Sequence, residues 1–162
     1  VALNINKKNY RLADMSISPD ESVPYPDPDE TAEIIEDKID MAECGTIWHV
    51  REWRGDDGLV EQFALMLNVT SAHPAYSRCQ QLKGNQHNFD QVRRTDTWHS
   101  SVHSHQYFID CEDCDREVHH ELAGGREEEK SRRVVNGSFK KHYDGMLYTQ
   151  FDYLERWKRG KP

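Results

Sequence analysis

Between residues 46 and 69 the chain reads as two strands flanking a four-residue turn, Gly55-Asp56-Asp57-Gly58, and this hairpin constrains the fold more than any other segment. Phe63, Leu65 and Leu67 alternate with Gln62, Ala64 and Met66. A strand over 59–69 therefore sets one apolar row against a core and the other row on the opposite face. Thr46–Arg54 is its expected partner, and the glycines suit a hairpin turn. A lone hairpin is barely stable in water, so other strands and a covering layer must follow. Residues 70–86, with Pro74 and Gly84, read as a polar loop. Strands are then expected over about 88–95 and 102–109.

Helices are expected before and after this sheet in the sequence. Asp27 can cap a helix, Pro28 suits its first position and Glu30 completes a capping box. Ile35, Ile39 and Ala42 recur at helical spacing and Gly45 can end the run, which predicts an acidic helix over 27–45. Its outer face would carry Glu33, Glu36, Asp37 and Asp40, either as a solvated face or as a dock for a basic partner. Gly124-Gly125 breaks the chain before a short exposed helix over 127–135, supported by Glu128–Arg132 and Glu129–Arg133 pairs. A last helix over 143–160 takes Leu147, Phe151, Leu154 and Trp157 as its apolar stripe, with Lys158 and Arg159 at its end. Trp48, Trp53, Tyr148 and Tyr153 read as core residues before they read as a base-stacking platform. The expected architecture is α+β: an antiparallel sheet of about four strands with helices packed on one side.

The domain limits follow. Residues 1–26 form a loose leader, because Pro24, Pro26 and Pro28 follow a polar run that offers nothing to pack. Within it residues 1–14 read as an extension at the start. Residues 27–162 form one domain: acidic helix 27–45, sheet 46–110, insert 111–142 and C-terminal helix 143–160. Only 36% of the residues are apolar and 31% are charged, too little for a second large core.

Charge narrows the partners. Residues 1–46 hold 4 basic and 11 acidic residues, a net of −7, while the whole chain carries −8. The body is thus nearly neutral, which disfavours coating of nucleic acid, since phosphate contacts require Lys and Arg. An enzyme acting on one RNA remains open. No run of about 18 apolar residues is present and no basic start leads into an apolar stretch, so neither a membrane span nor a signal peptide is expected. A cytoplasmic setting follows, in which Cys44, Cys79, Cys111 and Cys114 stay reduced and the Asn68 and Asn136 sequons are idle.

The segment richest in chemistry runs from Asp96 to His105 and holds three of the nine histidines within seven residues. On a strand His103 and His105 share a face, continued by Tyr107, while His99 lies in the preceding loop. Arg93, Arg94 and Asp96 end the strand before it. Three readings stand together. The imidazoles act as general acid and base on an RNA phosphodiester, with Arg94 at the phosphate and Asp96 orienting a ring. Or His103 and His105 bind a transition metal through neutral nitrogens. Or they only pack and hydrogen-bond on a half-exposed sheet. His73, His87 and His142 are isolated and read as surface residues.

The stretch Val92-Arg93-Arg94-Thr95-Asp96-Thr97-Trp98-His99, followed by His103 and His105, resembles the R-x-D-x-x-H…H-x-H core of TumE-like proteins. These are small toxins of prokaryotic toxin–antitoxin pairs, together with related archaeal proteins. The hairpin from Trp48 to Leu67 and the aromatic run from Tyr148 to Trp157 are similar as well. The likeness spans roughly residues 46–110 and 143–160. It implies a toxin role, with Arg94, Asp96, His99, His103 and His105 as site residues and a cognate antitoxin-like partner. The chain departs from that pattern at Thr95, where an aromatic is usual, and in its insert over 110–142.

A second constellation is Cys111-Glu-Asp-Cys114 followed by His119-His120. Two cysteines at this spacing can hold zinc in a knuckle, with His119 or His120 as third ligand and His105, Cys79 or the other histidine as fourth. A redox role needs a lowered thiol pKa, which Glu112 and Asp113 oppose. The residues also fit an incidental spacing with no metal. The function classes that follow are a toxin-like protein acting on RNA or the translation apparatus without a cofactor, and a zinc-stabilised, non-catalytic interaction module. No dinucleotide fingerprint, Walker loop, HExxH or GxSxG motif occurs.

Overall fold

A computed structural model describes residues 23–76 and 89–162. Expectations for residues 1–22 and 77–88, among them Cys79, Gly84, His87 and Asn88, lie outside the described residues. The described chain is α+β, with one antiparallel sheet of six strands in sequential order. These are β1 (Glu33–Asp40), β2 (Thr46–Arg54), β3 (Val60–Thr70), β4 (Phe89–Asp96), β5 (Ser101–Phe108) and β6 (Cys111–Glu121), followed by one helix, α1 (Glu128–Arg159).

The hairpin of β2 and β3 forms as its alternation predicts. Gly58 adopts a φ of +79°, which a side chain would resist, and its N–H donates to the Gly55 carbonyl at 2.9 Å. Asp57 then accepts from the Leu59 N–H at 3.1 Å. Phe63, Leu65, Leu67 and Val69 are fully buried.

The two edge strands replace other expectations. The helix predicted over 27–45 is instead β1, paired with β2 from Glu33↔Arg54 to Asp40↔Ile47. Its carboxylates line up with cations across the strand, Glu33 with Arg54 and Glu36 with Arg51, and Glu36 also bonds His49. Such cross-strand pairs outweigh a local capping signal. Gly45, expected to end a helix, serves the β1–β2 connection at φ +81°, where a Cβ would come within 2.3 Å of the His73 backbone nitrogen. The insert expected over 111–142 is likewise β6 and half of α1. Both edges are rich in charge, the composition that protects a sheet edge from pairing with another chain.

The two expected helices are one of 32 residues. Asn136-Gly137 does not break it, because Val135, Ser138 and Phe139 are seated on the sheet and Asn136 accepts the Val60 N–H at 3.1 Å. Packing of a buried face outweighs a weak local propensity. The stripe is rotated from the expected one. Val135, Phe139, Met146, Leu154 and Trp157 are buried, whereas Leu147 and Phe151 are 55% and 50% exposed. Tyr148 is also exposed, so the aromatic set read as core is divided between core and surface.

The leader boundary moves too. Tyr25 is buried; its N–H donates to Ser100 Oγ at 3.0 Å and its hydroxyl donates to the Glu61 carbonyl at 2.8 Å. Prolines on either side hold it extended, ready to lie in that slot. His73, expected at the surface, is buried against Trp157 and bonds Glu43 at 2.8 Å. No helix among the described residues is long and apolar enough to cross a membrane.

Candidate functional site

Strand alternation divides the sheet into a face covered by α1 and an open face. Arg93 lies over the Tyr153 ring, and Gln106 donates to the Tyr153 carbonyl, so those two residues face the helix. Their neighbours Arg94, Asp96, His103 and His105 therefore point the other way. The register sets Asp96 opposite His103 and Arg94 opposite His105, placing all four in one patch.

Asp96 is the hub. It is almost wholly buried, with Arg94 Nε on Oδ2, the Trp98 N–H on Oδ1 at 3.0 Å and His103 Nε2 on Oδ1 at 3.2 Å. The His103 Nδ1 faces the Ser101 carbonyl, which only accepts, at 3.4 Å. Ser101 Oγ lies 3.0 Å from that Nδ1, and Arg116 Nη2 donates to the same hydroxyl at 3.4 Å. The polar chain thus runs Arg116, Ser101, His103, Asp96, Arg94. With 2% exposure and both ring nitrogens engaged, His103 is held rigidly. Burial pushes its pKa below the ordinary imidazole value, and the Asp96 charge opposes that shift.

His105 stands next to it, the two ring centroids 4.9 Å apart and nearly perpendicular. Tyr107 stacks on its far side at 6.1 Å. Its Nδ1 lies 3.3 Å from Cys114 Sγ, a thiol supplied by β6. Burial and then the His103 ring lower the His105 pKa, so it favours the neutral form near pH 7.

The connection from β4 to β5 is a short helical turn, Trp98–Ser100, with two residues in left-handed backbone: His99 at φ 59° and Ser100 at φ 53°. Non-glycine residues there cost about 1–3 kcal/mol each, and surrounding bonds must hold them. The Asp96 carboxylate holds the Trp98 N–H, Phe63 donates to Thr97 Oγ1 at 3.1 Å, and Ser100 accepts from Tyr25 and Leu122. The backbone of the exposed His99 is thereby fixed, near enough to His103 for a His99 charge to disfavour protonation of that ring. A groove of about 550 Å³ runs past His99, lined by Tyr25, Asp27, Gln62 and Trp98 among others.

The second constellation is distributed along an extended strand. Cys114 faces His105 on the open side, while His119 Nε2 meets Ser104 Oγ at 2.7 Å on the helix side. Because β6 rises about 3.3 Å per residue, a knuckle's tight turn is absent between Cys111 and Cys114. His120 is exposed opposite Val102. Among the described residues no group of three or more His, Cys, Asp or Glu side chains is arranged to hold a metal ion.

His142, expected at the surface, is half-buried with its ring 5.0 Å from His119. Burial, then the His119 charge, lowers its pKa to about 4. Sequence reasoning also missed Ser101, and it set His105 beside Cys114 only as a fourth zinc ligand. Serine beside a histidine carries little signal, and β6 does not read as a strand from its own residues. Comparison of the chain with protein-family models, curated proteins and solved structures gave no match.

Proposed function

We propose that the open-face cluster is an acid–base site for cleaving an RNA phosphodiester, in a toxin-like protein restrained by a cognate antitoxin-like partner. The observation that carries the reading is the Asp96–His103–His105 arrangement: a carboxylate fixes one imidazole, which sets a second, less enclosed one at the surface. A lone packing histidine needs no such support. From sequence, His103 and His105 are the expected acid–base pair, with His99 as an orienting or third imidazole. His103 has both nitrogens occupied, so it positions the neighbouring ring. His105 and His99 then form the proton-exchanging pair. One imidazole removes the proton of a ribose 2′-hydroxyl as that oxygen attacks phosphorus, and the other protonates the departing 5′-oxygen. Arg94, tethered to Asp96 at Nε, offers its remaining N–H groups to the phosphate oxygens. Trp98 lies beside Trp53 at 6.2 Å and is exposed, an aromatic edge on which a base can stack.

The zinc-stabilised module has no specific geometric support, since β6 sends Cys114 and His119 to opposite faces. The toxin reading is tested by expression in a bacterial host. Growth arrest is expected, relieved by His103→Ala and by the milder His105→Gln. Normal growth with abundant, folded protein would overturn the reading.

A further inference from the structure

The helix-covered side of the sheet holds a second cavity, of about 390 Å³, where β4, β5 and β6 meet the end of α1. Arg93 forms part of its wall. This arginine is only 7% exposed, its guanidinium stacked 4.2 Å from the Tyr153 ring centroid. Among the described residues no carboxylate lies within 4.0 Å of it, and it makes no side-chain hydrogen bond. Burial weakens its hold on the proton, and the Glu117 charge, beyond ion-pair distance, only partly opposes that.

The surroundings strengthen the signal. Arg156, Arg159 and Lys161 line the same cavity, against Asp115 and Glu117. That makes a cationic cavity in a chain of net charge −8. Two cations in the last turn of a helix answer its dipole, but Arg93 comes from the sheet and is not explained in this way. Gln106 also lines the cavity and is 4% exposed. Its Nε2 lies within 3.3 Å of the carbonyls of Val92, Tyr107 and Tyr153, which fixes the orientation of the amide. Oε1 is left buried without a donor. An arginine without a direct ion pair and the cations at the end of α1 thus border one space.

We infer that this cavity binds a phosphate group, as the free ion or at the end of a small phosphate monoester. Arginine forks match phosphate oxygens, and a doubly charged group answers several cations at once. The volume falls within the range of about 300–1,000 Å³ typical of small-molecule sites. The cavity lies across the sheet from the histidine cluster and stands independently of its chemistry.

Titration calorimetry of the full chain at low salt, with inorganic phosphate and adenosine 5′-monophosphate as probes, tests the assignment. Saturable binding of at least one probe is expected, tighter for the monoester if its organic part also finds room in the cavity. Equal affinities would assign the site to free phosphate. Arg93→Gln should weaken binding at least about tenfold, and Arg156→Glu, on an exposed position, should do the same where the first variant folds poorly. Absence of heat with both probes up to about 10 mM, or unchanged affinity in both variants, would overturn the inference.

Discussion

The two faces of the sheet are buried in different ways. On the helix side Phe63, Leu65, Leu67, Val102, Val135, Leu154 and Trp157 exclude water by apolar contact. On the open side, where no helix lies among the described residues, Asp96 and His103 reach the same degree of burial through a polar chain of side chains. Apolar packing is insensitive to the identity of a single proton. A buried polar chain depends on every partner, and it is expensive unless each is satisfied. The first face therefore secures the fold, and the second holds groups whose protonation states are set by their neighbours.

The largest effect that could break this contrast is on the helix side. Phe63→Ala removes a ring packed 5.5 Å from Phe139 and should cost about 3–5 kcal/mol, read from the urea midpoint. A cost under about 1 kcal/mol would show that the apolar layer does not dominate stability.

Acid should act next, through the histidine pair between β6 and α1. His142 has a folded pKa of about 4, against the ordinary imidazole value of 6.5 that the unfolded chain restores. Between those values the unfolded chain binds the extra proton, so stability is full above about pH 6.5 and falls as pH drops toward 4. The loss should be at most about 3 kcal/mol and smaller in His142→Gln, as denaturation at pH 7.5 and 5 will show. A pH-independent midpoint would contradict the buried, neutral pair.

Asp96→Asn sharpens the comparison on the open side. It leaves Arg94 and His103 without their shared charge and should cost about 1–3 kcal/mol. Asp96 is also the charge that supports the His103 proton, so the variant should lower the His103 pKa further, as imidazole NMR would reveal. The smallest effect is expected at the exposed Tyr148, where Tyr148→Ser should change stability by no more than about 0.5 kcal/mol.

How much of this was legible in the sequence depended on burial. The hairpin of β2 and β3 was readable because its inner row is apolar and its turn carries glycine. Strands β4 and β5 were placed within a residue or two, although their connection, Thr97-Trp98-His99-Ser100, carries no glycine. The edges were not. EIIEDKID and CEDCDREVHHE carry charges on both faces, so their alternation is hidden and only pairing with a neighbour makes them strands. Reading β1 as a helix and β6 as part of an insert reduced the sheet from six strands to about four. The shared face of His103 and His105 was legible from their spacing. The burial of His103, the left-handed His99 and the approach of Cys114 are tertiary consequences of the register, which no local pattern records.

The most direct measurement is cleavage of a single-stranded RNA by the purified protein in excess chelator, comparing the native chain with His105→Gln. The account predicts products ending in 2′,3′-cyclic phosphate, and a rate at least about 100-fold lower in the variant with its melting temperature unchanged. No cleavage, or equal cleavage by a folded variant, would contradict it.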